Sequence, residues 1–497
     1  MSLATATNIA QSALNAVTAQ TQVLTRNIAN ANDTGTFNTK TANVATTTNG
    51  GAQVVSVTRV QNQTLFDNML NATASSATQT AISNGLTQLE ATVGATSDGS
   101  ASQSPSTLLS NFTNALQSYQ ASPSDSALAD AAVSSAQTLA QSLNSATSTV
   151  QGVREQADAS MSQSVSQINS LLQQFQTVNA QITSGTLAGT DVTDAEDSRD
   201  SILTQLSQQI GITTVGGPNN SMNIYTDSGV TLFQGTARTV TFNPTAAYTS
   251  STTGNAVFVD GVPITGSGST MPIQSGALAG LANLRDNVAV TYQSQLDSIA
   301  GNLIGAFAET DQSGGGGATQ PGLFTTPGAT GMPASDTGLA GTIEVNASVD
   351  PNQGGNALLL RDGGISDPSG TAYTYNTSGD ASYNGRLNQL LSNLSATATF
   401  DPAGGIGTSN TLSNYATASV SWLEGQRSDA SSAGTYQSTL LSQATTALSN
   451  TTGVNIDSQM SQMLQLENSY QASAKLMSTI HTMFGTLLYS MGVSSTS

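Results

Sequence analysis

Apolar residues recur every seven positions at both ends of this chain, and the text between them changes rhythm several times. At the N-terminus Leu3, Ala10, Val17, Leu24 and Ala31 form one row, with Leu14 and Ile28 four positions beyond Ala10 and Leu24. No Pro or Gly intervenes before Gly35, so the spacing predicts one helix of about 29 residues, roughly 43 Å long. At the C-terminus Ile456, Met463, Tyr470, Met477, Phe484 and Met491 repeat the heptad, widened by Met460, Leu466, Ile480, Leu487 and Leu488. Asp457 falls in the first turn, where a carboxylate complements the helix dipole. Helices with so few charges gain little in isolation. The simplest expectation is that the two ends pair lengthwise as a terminal coiled coil.

Between the ends, apolar periodicity of 3.6 type predicts helices over 62–92, 106–183, 193–210, 276–309 and 411–448, with Ser106 as a cap and Pro123 as a break. After Gly211 the period falls to two. "MNIYTDSGVTLFQG" and "AVFVDGVPIT" read as hairpins around "DSG" and "DG". Residues 313–410 are rich in Gly, Pro and Ser, with "GTIEVN" and "ALLLRDGG" strand-like. The expected fold class is mainly α with β insertions: an elongated multi-domain chain with a terminal α-helical coiled coil, a helical-bundle stem and outer β-rich domains. The division expected is 1–35 with 455–497 for the coil; 36–210 with 276–312 and 411–454 for the stem; and insertions at 211–275 and 313–410.

Composition narrows the function. Charged residues are 8% of the chain, the net charge is −19, and Lys40 and Lys475 are its lysines. Phosphate recognition needs clustered cations, so neither nucleic acid nor an anionic membrane surface is an expected partner. No run of eighteen apolar residues exists to span a bilayer. The start lacks the basic and apolar regions of a cleaved secretory signal, while a Ser/Thr-rich, lysine-poor composition suits an exported protein. The absence of Cys excludes thiol catalysis and disulfides.

Catalytic constellations are sparse. His481, the single His, lies in the C-terminal stripe and reads as a packing or subunit contact, and there is no HExxH or GxSxG. "GTDVTDAEDSRD" (Gly189–Asp200) has the carboxylates of a calcium loop without the spacing or glycine of an EF-hand; an acidic first helical turn explains it better. Gly314–Gly317 is followed by no Lys, and Trp422 reads as core. No catalytic, cofactor-binding or metal-ligating residue is assigned.

"NIANANDTG" (Asn27–Gly35) closely resembles the signature that closes the first helix of bacterial rod, hook and hook-associated axial proteins. "VNIDSQMSQMLQLENSYQASAKLMSTIHTMFGTLLYSMG" is similar to the C-terminal half of the same family. "DSRDSILTQLSQQIGITTV" with "MNIYTDSGVTLFQG", "GALAGLANLRD" and "SNFTNALQSYQASPSD" resemble interior segments of hook-associated members. Two departures stand out: Phe37 in "GTFNTK" is displaced by one position, and Gln459 stands where the family commonly has an acidic residue.

The resemblance implies a non-catalytic structural subunit of the flagellum that joins hook to filament as a ring-like layer. It would be exported through the type III channel to an extracellular position without signal cleavage, and would carry no cofactor. The implied partners are further copies of itself, hook protein, a second hook-associated protein, and an export chaperone at the C-terminal region. Coil and assembly contacts are expected at Leu3, Leu14, Val17, Leu24, Ile28, Met463, Tyr470, Met477, Phe484 and Leu488. Asn27, Asn30 and Gly35 are expected at the exit turn, because Asn and Gly tolerate left-handed backbone and can satisfy terminal carbonyls. A hook protein of the same family, or a secreted adhesin or hydrolase built on the β insertions, are the alternative readings.

Overall fold

The computed structural model describes residues 2–33, 37–94 and 103–490. Helix α1, Leu3–Ala29, starts where the Ser2 side chain accepts the Thr5 N–H. It leads into an antiparallel hairpin, β1 (Lys40–Thr46) and β2 (Ala52–Arg59), with a bulge at Asn43/Val44. The stem follows: α2 (Gln63–Glu90), α3 (Pro105–Ala121), α4 (Ser126–Ala188) and α5 (Thr193–Gln209). With 63 residues, α4 is the backbone of the molecule, about 95 Å long at the usual rise. Asp125 caps its start and Gly189, at φ 68°, closes its end, a left-handed conformation that suits glycine. The cap expected at Ser106 is instead Ser104, because Pro105 occupies the first helical position, where its missing N–H costs nothing.

A four-stranded antiparallel sheet comes next, β3 (Ile212–Gly216), β4 (Met222–Thr226), β5 (Thr231–Gln234) and β6 (Thr236–Ala237), in chain order. A three-stranded one follows, β7 (Val240–Thr241), β8 (Phe258–Val259) and β9 (Val262–Pro263). The hairpins read from "DSG" and "DG" are β4–β5 and β8–β9; β3, in which two adjacent Thr interrupt the alternation, was not read as a strand. Helices α6 (Ala277–Asn283) and α7 (Ala289–Ala306) are joined by a π-helical turn at Leu284–Val288. Residues 313–410 hold the pair β10 (Phe324–Thr325) and β11 (Glu344–Val345), helices α8 (Leu359–Asp362) and α9 (Gly385–Ser395), and the pair β12 (Thr397–Thr399) and β13 (Ser409–Thr411). "ALLLRDGG" is therefore helical where a strand was expected: Leu360 is buried, and the Arg361 guanidinium donates to the carbonyls of Pro123 and Ala381. The chain returns through α10 (Leu412–Thr452) and ends in α11 (Ile456–Ser490).

Two apolar cores stabilise this arrangement. One joins α3, the first half of α4, α7 and α10 around Phe112, Leu143, Tyr292 and Tyr415, and also takes in Phe324, Leu360, Leu387 and Phe400 from 313–410. The other packs Met69, Leu172, Phe175 and Leu203 against Ile224, Leu232 and Phe233 of the sheet. Trp422 packs, partly buried, against the first.

Between them lies a buried polar knot. The π turn displaces Arg285 toward α4, where it is fully buried and pairs with Asp158 at 2.6 Å and Asp286 at 2.8 Å. Arg154 donates to the carbonyls of Arg285, Thr249 and Thr252 and stacks on Tyr248, whose hydroxyl donates to Asp158. Burial pulls the Arg154 guanidinium down; burial alone would do the same to Arg285, but the bonds and charge of Asp286 raise it. Such a knot fixes the loop 245–255 to the stem, because every buried charge in it has a partner.

Candidate functional site: the terminal helix pair and its joint

α1 and α11 pack along one another, so the chain ends do meet. They run antiparallel: Asn27, near the end of α1, bonds Gln459 at the start of α11, and Thr18 to Thr25 face Met463 to Tyr470. Ile9 and Ser12 lie against Gly50 and Gly51 of the hairpin turn, giving α1 a second neighbour. Ala10, Val17 and Leu24, on the row between these two faces, are buried, whereas Leu3, Leu14 and Ile28 are half-buried.

The other helix is barely covered. Among its described residues Gln459 alone is buried. Met463, Leu466, Met477 and Ile480 are half-buried at heptad spacing, while Tyr470 is 50% exposed, Phe484 36% and Leu488 46%. Antiparallel register places the start of α1 opposite the early 480s of α11, so Phe484, Leu487, Leu488 and Tyr489 extend past it. His481 is exposed on the same segment. A further row, Ile456, Met460 and Leu464, faces solvent on the flank. Between the helices runs a groove of about 670 Å³, walled by Thr18, Thr21 and Thr25 on one side and Met463, Leu466 and Tyr470 on the other. Neither apolar core contains a residue of α1, β1, β2 or α11.

The exit turn differs from expectation in its geometry. Asn30 has φ −105°, and no Asn at the end of α1 adopts a left-handed backbone. Its amide does satisfy a terminal carbonyl, that of Arg26, at 2.8 Å. Asn27 is fully buried and works sideways: its amide donates to the Lys40 carbonyl and to Gln459 Oε1, both at 2.8 Å, and its carbonyl accepts the Lys40 N–H at 3.0 Å. One side chain thus ties α1, β1 and α11 together. The glutamine at 459 supplies the acceptor that a carboxylate would supply, without burying a charge. Gly35 lies outside the described residues.

The pair meets the stem through charges. The acidic run before α5 receives three of the chain's eleven Lys and Arg residues. Arg26 reaches Asp191 at 3.1 Å and Asp194 at 3.0 Å. Lys40, whose ammonium lies over the Phe37 ring, pairs with Asp194 and Asp197. Arg59 pairs with Glu196 at 3.0 Å and hydrogen-bonds Asp197 at 3.2 Å and Asp200. Burial pushes the Asp200 carboxyl up against the opposing pull of Arg59. Asp191, raised by burial but overcompensated by Thr193 and Arg26, sits below its usual range. The reading of an acidic first turn was right in location and incomplete in cause: these carboxylates are the sockets for the cations of the terminal unit. Sequence spacing could not show this, since the partners lie more than a hundred residues away. Among the described residues no cluster of His, Cys, Asp and Glu is arranged to hold a metal ion, and no helix is long and apolar enough to cross a membrane.

The described residues therefore form an end-paired helical unit that lies outside both apolar cores and is carried on a long helical stem. The model of the flagellar hook-associated protein FlgK helical domain matches residues 86–324, and that of the flagellar basal body rod FlgEFG protein C-terminal region matches 447–489. The chain is thus similar to flagellar hook-associated proteins over this helical segment and to rod proteins over its C-terminal helix. It is 27% identical over 209 residues to flagellar hook-associated protein 1 of Escherichia coli, covering 41% of this chain and 37% of that one. For the Salmonella typhimurium protein of the same name the figures are 27% over 211 residues, 42% and 37%. The match spans little more than a third of the length of these relatives. The flagellar hook junction protein FlgK from Burkholderia pseudomallei is a structural neighbour at TM-score 0.41 and 24% identity, covering 52% of this chain and 46% of that one.

Proposed function

We propose that this chain is a structural, non-catalytic subunit of the flagellar hook–filament junction, assembled as a ring-like layer through its terminal helix pair. The observation that carries the reading is the uncovered apolar surface of α11. Tyr470, Leu476, Met483, Leu487 and Tyr489 are all at least half exposed, and each such side chain contributes about 1.5–3 kcal/mol when buried. A lone chain leaves that free energy unrealised; neighbouring copies would realise it. The helical-domain match over 86–324 favours this over a hook protein of the same family. The residues assigned to the coil and its assembly contacts are Leu3, Leu14, Val17, Leu24, Ile28, Met463, Tyr470, Met477, Phe484 and Leu488, with Asn27 and Asn30 holding the exit. Hook protein, a second hook-associated protein and an export chaperone at α11 are the partners this reading carries, with type III export to an extracellular position.

Electron microscopy of a deletion strain tests it. Hooks without filaments are the expected outcome. Loss of the hooks would assign the chain to the hook itself, and normal filaments with loss of surface adhesion would return the secreted adhesin.

A further inference from the structure

The joint between the terminal unit and the stem has three properties that belong together. First, among the described residues neither apolar core extends into it, and the side-chain bonds that cross it are polar: the ion pairs of Arg26, Lys40 and Arg59, with the bonds of Arg26 to Thr193 and Asn38 to Asp197 among them. Second, the two covalent crossings lie side by side. The Thr39 N–H donates to the Thr452 carbonyl at 2.8 Å, its hydroxyl donates to the Gly453 carbonyl at 2.7 Å, and its own carbonyl accepts the Val60 N–H at 2.8 Å. Thr39 therefore pins the link from β2 to α2 against the link from α10 to α11. Third, the ionic contacts all land on one short stretch, Asp191 and the first turns of α5.

Two adjacent crossings define a pivot, and a cluster of charges beside a pivot defines a latch. We infer that the terminal unit (α1, the β1–β2 hairpin and α11) swings as a body about Thr39, and that the pairing of Arg26, Lys40 and Arg59 with the α5 carboxylates sets its angle to the stem. The physical reason is the nature of the surfaces that part. Opening an apolar contact exposes oil to water and is resisted in proportion to its area. Opening an ion-paired contact returns both partners to hydration, which offsets much of the attraction that is lost. A polar joint can therefore open and close while each body keeps its own packing. The latch has two tiers: the Asp194 side chain is 68% exposed, while those of Lys40 and Arg59 are 0% and 4% exposed. Salt reaches the outer tier first. The inference concerns the joint alone and holds whichever structure of the flagellum the chain occupies.

The chain has no Cys, so Gln53→Cys on the hairpin and Gln181→Cys on α4, both exposed, give two clean spin-label sites in the full-length protein. Electron–electron distance measurement should show one narrow distribution at low salt, and one about twice as broad and shifted near 1 M salt, where the screening length falls to about 3 Å. Lys40→Met combined with Arg26→Gln should give the broad distribution already at low salt, with the stem's thermal transition unmoved. A distribution that stays narrow with salt and in the variant would overturn the latch. So would a lowered stem transition in the variant, which would make the charges part of one rigid fold; the salt series on the chain with native charges decides independently of how that variant folds.

Discussion

The stem and the terminal pair are both long helical assemblies, yet they are built on opposite principles. In the stem, α4 buries a residue at nearly every turn from Ala129 to Ile182, against partners on several sides. In α11, of similar character by sequence, a single Gln is buried among 35 residues. Periodicity alone does not distinguish a helix that has found its partners from one that is waiting for them. What distinguishes them is the neighbours that the described residues supply: α4 is enclosed by several elements, whereas α11 packs chiefly along α1. The stem is enclosed within the chain, and the pair leaves an apolar surface that the described residues do not cover.

That contrast can be broken from either side. Leu24→Asp with Met477→Asp puts charge into the coil, and the expected result is an exported protein that does not assemble, while the stem's thermal transition is unchanged; sedimentation and microscopy of sheared filaments read this out. Arg285→Ala leaves Asp158 buried beside the emptied site. Removing one partner of a buried pair typically costs about 3–5 kcal/mol, so urea unfolding should show a loss of that order in the stem.

Alkali should act on the stem as well. Burial pushes the hydroxyls of Tyr119 and Tyr292 up to about 12. A raised folded-state value means a contribution to stability that is whole below the unfolded value near 10 and is lost as pH rises toward about 12. Tyr292→Phe, which also gives up the bond to Thr92, should weaken the fall in that window, followed by circular dichroism. The smallest effect belongs to the pair's base. Asn27→Ala removes three bonds and leaves the Lys40 backbone and Gln459 unpaired in a buried place. The expected cost is about 1–3 kcal/mol, seen as faster amide exchange at the end of α1 and the start of α11 only.

Much of this organisation was legible in the sequence. The heptad rows located α1 and α11, and the change of period after Gly211 located the sheets, because both signals are local. "GALAGLANLRD" was legible as a landmark but not as a mechanism. Its Gly280 lets α6 approach α2 so closely that a Cβ would lie 2.5 Å from the Thr78 carbonyl oxygen, and its Arg285 is the centre of a knot whose other members come from 154–158 and 245–255. The helical character of Leu359–Asp362 was hidden because a short buried apolar run reads alike as strand or helix. The acidic run before α5 was correctly placed in a helix start; its purpose depended on Arg26, Lys40 and Arg59, which only the folded chain brings to it. The role of Asn27 was missed for a related reason. The end of a helix invites a capping explanation, whereas this amide acts across three elements.

Amide hydrogen exchange, followed on the free protein and on assembled flagella, tests the central claim most directly. Exchange in α4 should be slow in both states, while α1 and α11 should exchange orders of magnitude faster than α4 in the free protein and become protected on assembly. Protection of α1 and α11 at the level of α4 in the free protein would contradict the account, since the terminal pair would then be a finished structure with nothing left for its neighbours to complete.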